Sequence, residues 1–327
     1  MKVTIPADLK KDVPQGSFGK ILNATPVIMA VVATMLAGLA SSEMTRAQYD
    51  RSLAAQQQSK AGDQWSFFQA KRLRGAYQHN TADLLQSLTE VHPVDPAKLR
   101  ALVQSSADPA RESSASDAAK ARSDLAALLD SPAGQQALAR LQKGELPATS
   151  SGATVAPNIK ATLDAAEEFR TDAEVAKTLA AVKDSDLDGA LRSARDQAQA
   201  FDTATKPVNQ AIDGFDGLLS RLAANSSLAR DFTAARLKYA GQRYEVEARL
   251  NQAIANLHEL QVRKSNLSAE RHHARSQQFF YGLLAAQLAV IISTFAIAAR
   301  QRNLLWSLAA LAGLLAIIFA AFVYVTK

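Results

Sequence analysis

Cysteine is absent from this chain of 327 residues. That absence excludes disulfide bonds, thiolate catalysis and zinc sites built from cysteine. Aromatic residues make up only 6% of the chain, and 14 glycines and 10 prolines are a small number for this length. This composition favours long helices over β-sandwiches, and no stretch shows the alternation of a strand. The sequence therefore predicts an all-α fold.

The common catalytic motifs are also missing, including the phosphate loop, the dinucleotide turn, the nucleophile elbow and the H-E-x-x-H helix. Carboxylate pairs such as Glu167-Glu168 stand in alanine-rich segments without the apolar frame that shifts catalytic acidities. Adjacent histidines on a helix point about 100° apart, so His272-His273 is a poor metal chelator by itself. We therefore expect a protein that is not an enzyme and that uses no metal or other cofactor.

The formal charge of +6 raises the question of nucleic-acid binding. However, lysine and arginine alternate with aspartate and glutamate, and no block of five or six like charges occurs. This pattern is typical of solvated helix faces, so we expect no nucleic-acid partner.

Three uncharged apolar runs, residues 21–42, 279–299 and 304–325, are each long enough to cross a bilayer as a helix. We expect them to be transmembrane helices, with the lipid bilayer as a partner. The first run has an alternative, because Gly38-Leu39-Ala40 fits the small-x-small pattern of a cleaved signal peptide. Its long leading segment favours a retained anchor.

Three spans would put the N-terminus, residues 1–20, and the turn at Arg300–Arg302 on one side of the membrane. The short segments on that side carry six cations: Lys2, Lys10, Lys11, Lys20, Arg300 and Arg302. Only Lys327 counts on the other side, because long translocated domains contribute little to the positive-inside rule. We therefore expect a bacterial inner-membrane protein whose large domain lies in the periplasm.

That domain, inserted between spans 1 and 2, is predicted to be helical and coiled-coil-like. Residues 43–92 form an ascending stalk helix and residues 226–278 a returning one. In the returning helix apolar residues recur at steps of three and four, at Leu228, Phe232, Ala235, Tyr239, Val246, Leu250, Ala253, Leu257, Leu260 and Leu267. This seam fits either an antiparallel helix pair within one chain or an interface between subunits.

The segment between the stalks, residues 93–225, is predicted to be an alanine-rich helical insertion. Helix starts are expected at Asp95-Pro96, Asp108-Pro109 and Ser131-Pro132, and a loop at residues 148–157. One long helix is expected from Asn158 to Thr205 with a break at Lys206-Pro207. The glycines in residues 213–217 predict either a bend or weak points in a helix.

The string Asp63-Gln64-Trp65-Ser66-Phe67-Phe68-Gln69-Ala70-Lys71 follows the first span. Its W-x-x-[FY]-Q-A-K pattern resembles a family of uncharacterised bacterial three-span membrane proteins. The charged helix with Arg243-Tyr244 and the hairpin at Arg300–Arg302 are similar to the closing section of that family. The resemblance covers residues 20–90 and 226–327, and it implies a topology without an activity.

A candidate interaction surface follows from the same string, since its aromatic and basic residues lie on neighbouring turns of one helix. Its members are Trp65, Phe68, Gln69, Lys71 and Arg72. In one interpretation the aromatic rings pack against the returning helix near Tyr239 or Tyr244, with Gln69 and Lys71 hydrogen-bonding across. In the other, the cluster is a docking surface for a partner.

Within the spans, small residues recur along one face of the last helix, at Ala309, Gly313, Ala316 and Ala320. Such stripes let helices approach closely, either within one chain or between subunits. The spans hold no ionisable residue, which argues against a pump, although Gln287 and Thr294 could line a passive pore. The sequence therefore favours a homo-oligomeric scaffold or an accessory subunit of a cell-envelope complex. A channel-like assembly is the alternative, followed by an extracytoplasmic ligand sensor.

Overall fold

The computed structural model describes residues 17–104, 115–147, 156–222, 226–299 and 302–325. Within these ranges the chain is helical and contains no strand, which confirms the predicted all-α class. The helices are α1 (Ser17–Leu88), α2 (Pro96–Gln104), α3 (Ala115–Asp130), α4 (Pro132–Lys143), α5 (Pro157–Glu167), α6 (Asp172–Ala180), α7 (Asp184–Arg221), α8 (Ser226–Ala298) and α9 (Arg302–Val325).

Three of these helices are long and apolar enough to cross a membrane, judged by length and composition: α1, α8 and α9. The helix α1 has 72 residues and α8 has 73, so each continues without a break from an apolar stretch into a charged one. The candidate span within α1, Asn23–Leu88, is itself 66 residues long. In α1 and α8, the ends of the helix therefore do not mark where a membrane-spanning segment would begin or end.

A seven-residue repeat of small residues runs along both long helices. In α1 every seventh residue is a buried alanine or glycine apart from the half-buried Phe68: Ala33, Ala40, Ala47, Ala54, Ala61, Phe68, Gly75 and Ala82. In α8 the corresponding buried positions are Gly241, Ala248, Ala255, Val262, Ala269 and Ser276. Small side chains at a fixed heptad position let two helices lie close together.

The chain divides into two compact units, and the first comprises Met1–Gln56 with Val262–Lys327. Its core joins α1, α8 and α9 through Ala33, Leu36, Ala40, Phe279, Ala286, Ala316 and Val323. Close approach is visible where the Ser276 hydroxyl donates a hydrogen bond to the carbonyl of Ala40 at 2.8 Å.

The second unit comprises Gln57–Gln261. Its largest core cluster is formed by the inserted helices α2, α3, α4 and α7 together with the start of α8, around Leu99, Leu125, Phe215 and Phe232. Phe215 and Phe232 pack as tilted rings with centroids 5.9 Å apart. The predicted seam residues Leu228 and Tyr239 belong to this cluster. At the start of α8 the apolar pattern thus reflects packing against the inserted helices, while a neighbouring face of α8 contacts α1.

Two of the predicted helix starts are observed. The Asp95 carboxylate accepts a hydrogen bond from the backbone of Ala97 at 2.8 Å as α2 begins. The Ser131 hydroxyl accepts one from Gly134 at 3.0 Å, which caps α4. The Asp108-Pro109 start lies outside the described residues, as does nearly all of the predicted loop at 148–157.

The single helix expected from Asn158 to Thr205 is wrong, because three helices occupy this stretch. Helix α5 ends at a turn in which Phe169 has a left-handed backbone, with φ of 53°. A capping box between Thr171 and Glu174 then starts α6.

The break expected at Lys206-Pro207 is also wrong, since α7 continues through Pro207 to Arg221. A proline inside a helix costs about 3 kcal/mol. Here its neighbours Phe201 and Val208 are buried, and their burial offsets that cost. The glycines at 214 and 217 lie inside the same helix, so they are weak points rather than a bend.

Candidate functional site

The candidate surface around Trp65 lies on α1 in the second unit, and two of its residues, Trp65 and Lys71, contact α8. The Trp65 indole N–H donates a hydrogen bond to Glu259 Oε1 at 2.7 Å. Phe68 packs edge-on against Trp65, with ring centroids 5.3 Å apart. Trp65 therefore meets α8 at Glu259, about four turns beyond the predicted neighbourhood of Tyr244.

Lys71 is the centre of a charged cluster between the two helices. Its ammonium group pairs with the carboxylate of Glu247, whose other oxygen lies 3.4 Å from Arg243 Nε. The Tyr244 ring has the Lys71 ammonium 5.3 Å and the Arg243 guanidinium 4.5 Å from its centroid. These contacts link α1 to α8 by ion pairing and cation–π attraction.

Gln69 and Arg72 differ from the other three residues because both are exposed. The guanidinium of Arg72 lies 5.8 Å from the Phe68 ring centroid, and Gln69 lies on the outer side of the helix. The candidate surface is thus split between an inner contact with α8 and an outer face.

Two glycines, Gly75 and Gly241, lie where α1 and α8 are in close contact in this unit. A Cβ on Gly75 would lie 3.4 Å from the Gly241 carbonyl, and one on Gly241 would lie 2.7 Å from the His79 ring. The same ring lies 3.3 Å from Glu245 Oε1. Glycine at these positions therefore makes room for a polar contact across the helix pair.

A buried histidine that sequence reasoning missed joins three helices of the second unit. His258, on α8, is only 1% exposed. Its Nε2 lies 3.0 Å from the Arg195 guanidinium on α7. Its Nδ1 lies 3.0 Å from the amide oxygen of Gln57 on α1 and 3.1 Å from that of Gln261. Gln261 in turn donates to Asp188 Oδ1 at 2.9 Å.

The partners define the protonation state of this imidazole. A guanidinium can only donate, so Nε2 accepts from Arg195 and Nδ1 carries the proton shared with the glutamine oxygens. Burial lowers the pKa of His258 most, and the positive charge of Arg195 lowers it further; the Gln261 hydrogen bond raises it by less, and Lys60 has the smallest lowering effect. The neutral ring is thus the form that fits its surroundings.

The adjacent histidines His272 and His273 contact different residues. His272 Nδ1 lies 2.6 Å from Glu43 Oε2 and its Nε2 lies 4.0 Å from Asp50, both on α1 in the first unit. His273 instead contacts Gln277 one turn along α8 at 3.2 Å. Among the residues that the structure describes, no group of three or more histidine, aspartate or glutamate side chains is arranged so that it could hold a metal ion.

The small-residue stripe of α9 packs within the chain. Ala309 and Ala316 are fully buried, and Ala320 packs against the core cluster of the first unit. A Cβ on Gly313 would meet the side chain of Met29 on α1. Packing inside one chain therefore accounts for these four positions.

The two candidate pore residues lie on α8 and both are exposed. The Thr294 hydroxyl donates to the carbonyl of Ile291 at 2.7 Å, so its own helix satisfies it. Gln287 lies among apolar neighbours on the exposed side of the same helix.

A family described as Domain of unknown function (DUF4337) matches residues 20–129. The matched range includes the W-x-x-F-Q-A-K string and continues into α3, which extends the predicted resemblance beyond residue 90. It does not include the closing section, residues 226–327. The chain is therefore similar to an uncharacterised family over its first part. No curated protein and no solved structure matches the chain.

Proposed function

We propose that this chain is a non-enzymatic, membrane-anchored helical scaffold, which acts as a homo-oligomer or as an accessory subunit of a cell-envelope complex. The observation that carries the proposal is the pair of helices α1 and α8. Each runs unbroken from an apolar stretch into a charged one, and in each unit polar side chains link the two helices. A pair linked in this way forms a stiff support that presents surfaces to partners.

The proposed topology has three transmembrane helices, within residues 21–42, 279–299 and 304–325. The large helical domain is inserted between the first and second of them. The excess of cations in the N-terminal segment and the 300–302 turn supports a cytoplasmic location for both. Residues 43–278 then lie on the periplasmic side of a bacterial inner membrane.

The topology can be tested with single cysteines because the chain has none of its own. A cysteine in place of exposed Ser220, on α7, should react with a membrane-impermeant maleimide added to intact spheroplasts. A cysteine in place of Gln301 should react only after the membrane is opened. The reverse pattern would contradict the proposed orientation.

The second candidate function is a channel-like assembly with Gln287 and Thr294 around a central axis. Their exposure on α8 is the observation that favours it. Purified protein in liposomes distinguishes the two proposals. A scaffold should give no ion flux above that of empty liposomes, whereas a channel should give flux that Gln287→Leu and Thr294→Val reduce together. Flux of the second kind would overturn the scaffold proposal.

A further inference from the structure

The outer face of α1 in the second unit carries a row of large apolar side chains exposed to solvent. Leu73 is 71% exposed, Tyr77 68%, Leu84 59% and Leu88 73%. They follow one another at steps of four, seven and four residues, so they lie on one side of the helix. Single exposed apolar residues are ordinary, but a row of this length marks a contact surface.

The row is part of a regular heptad pattern. Ala70 and Asn80 fill the intervening positions, so that residues 70, 73, 77, 80 and 84 alternate at steps of three and four. The opposite side of the same helix, with Gly75 and Ala82, is buried. Helix α1 thus has two seams, of which the inner one contacts α8 and the outer one is exposed.

We call Ala70, Leu73, Tyr77, Asn80 and Leu84 the outer seam; Leu88, one residue past the next seam position, lies on its flank. We propose that a second copy of this chain docks on the outer seam, parallel and in register, so that each seam residue meets its own counterpart. The parallel orientation rests on the proposed function, because copies anchored in one membrane point the same way. The contact itself would be an isologous one about a twofold axis.

Asn80 is the residue that points to a second copy rather than to a different protein. A carboxamide has both donors and an acceptor, so two asparagines facing each other across a twofold axis satisfy one another. A single polar residue in an otherwise apolar seam also specifies the register of a coiled coil. An unrelated apolar partner would leave this amide unpaired.

The flanking charges are compatible with that register. Gln69, Ala76 and Asp83 directly precede the seam residues Ala70, Tyr77 and Leu84. In a parallel coiled coil, each residue in such a position faces the residue five positions further along on the partner helix. This brings together Gln69 with Arg74, Ala76 with Thr81 and Asp83 with Leu88, and none of these pairs joins like charges. Gln69, predicted to belong to an interaction surface, can accept a hydrogen bond from the Arg74 guanidinium.

The size of the seam sets how strong the contact can be. Residues 70–88 form about 28 Å of helix, roughly 10 Å wide, so one copy contributes about 300 Å². A stable interface between freely diffusing proteins buries about 800 Å² per partner. The outer seam therefore needs the high effective concentration that a shared membrane provides.

Cysteine crosslinking of the full-length chain in its native membrane tests the seam directly. Leu73→Cys and Leu84→Cys should form disulfide-linked dimers rapidly on mild oxidation, because matching seam residues come within bonding distance. The controls Arg74→Cys and Asp83→Cys are equally exposed but point to the flanks, and they should crosslink at least about tenfold more slowly. Equal or faster crosslinking at the control positions would overturn the proposal.

Charge variants at position 80 provide the second arm. Asn80→Asp alone and Asn80→Lys alone should each abolish the Leu73→Cys crosslink, since like charges would meet across the axis. Coexpression of the two variants should restore it. Crosslinking that is indifferent to these changes contradicts self-pairing at Asn80. If the mass of the native complex still shows an oligomer, only the seam is wrong; a plain monomer removes the scaffold proposal as well.

Discussion

At the scale of single residues, His258 is a buried polar link within the second unit. It joins α1, α7 and α8 through Gln57, Arg195 and Gln261, and it is buried as a neutral ring. Arg195 and Gln57 are 63 and 201 residues away from it in sequence. No local spacing could therefore predict the network, because the sequence by itself shows His258 only as a histidine on a helix.

The network should make the stability of the fold depend on pH. Because the pKa of His258 is lowered in the folded state, the unfolded chain takes up a proton at a higher pH than the folded chain does. The stabilisation is complete above the unfolded pKa of about 6.5 and is lost as the pH falls from there through the lower folded pKa. We expect the thermal midpoint of the wild type to fall more between about pH 7.5 and pH 5 than that of His258→Gln, which cannot titrate. If the thermal midpoints of the wild type and of His258→Gln fall equally, His258 is not the cause of the pH dependence.

Trp65 shows how far sequence reasoning reached at this scale. Its spacing with Phe68 and Lys71 predicted an inner contact as one of two interpretations, but the partner Glu259 could not be identified without the register of α8. Trp65→Phe removes the N–H donor to that carboxylate together with part of the ring system, and it should lower the free energy of unfolding by at least about 1–2 kcal/mol. The exposed neighbour Phe67 serves as the control, because Phe67→Leu should stay within about 0.5 kcal/mol of the wild type. A larger effect at Phe67, measured by chemical denaturation, would contradict the assigned faces.

At the scale of helices, the sequence predicted the class and the start of α2 and α4 because capping residues act locally. The prediction of one helix from Asn158 to Thr205 is wrong, because the alanine-rich composition of this stretch gives no signal of where the helices end. The left-handed Phe169 has no signature of its own, since glycine is the usual residue for that conformation. At Pro207 the sequence predicted a helix break that is not observed, because burial of residues near the proline outweighs its local cost.

The two glycines of α7 give a matched test at this scale. A Cβ on Gly217 would meet nothing within 4 Å, whereas one on Gly214 would lie 3.2 Å from Leu128 Cδ2. Gly217→Ala should therefore raise the free energy of unfolding by about 0.5–1 kcal/mol through helix propensity alone. Gly214→Ala should raise the free energy of unfolding by less, because Leu128 must shift to make room for the methyl group. The reverse order in urea unfolding would show that α7 packs differently.

At the scale of the whole molecule, hydropathy was the most informative signal in the sequence. The three apolar helices that it predicted are present, and the small residues of α9 pack against their neighbours. The exposed outer seam escaped notice because a sequence pattern cannot show which of two apolar faces the rest of the chain leaves uncovered. Only the burial of Gly75 and Ala82 on the other side of α1 distinguishes them.

The central claim is that this protein acts through contacts with its own copies or with another subunit in the membrane. Native mass spectrometry of the complex, extracted into lipid nanodiscs from its own membrane at its natural level, tests it most directly. If the proposed function is right, the complex has a mass that is a homogeneous multiple of 35.0 kDa, or a larger mass that contains a second polypeptide in fixed proportion. A single species at 35.0 kDa would contradict the proposed function.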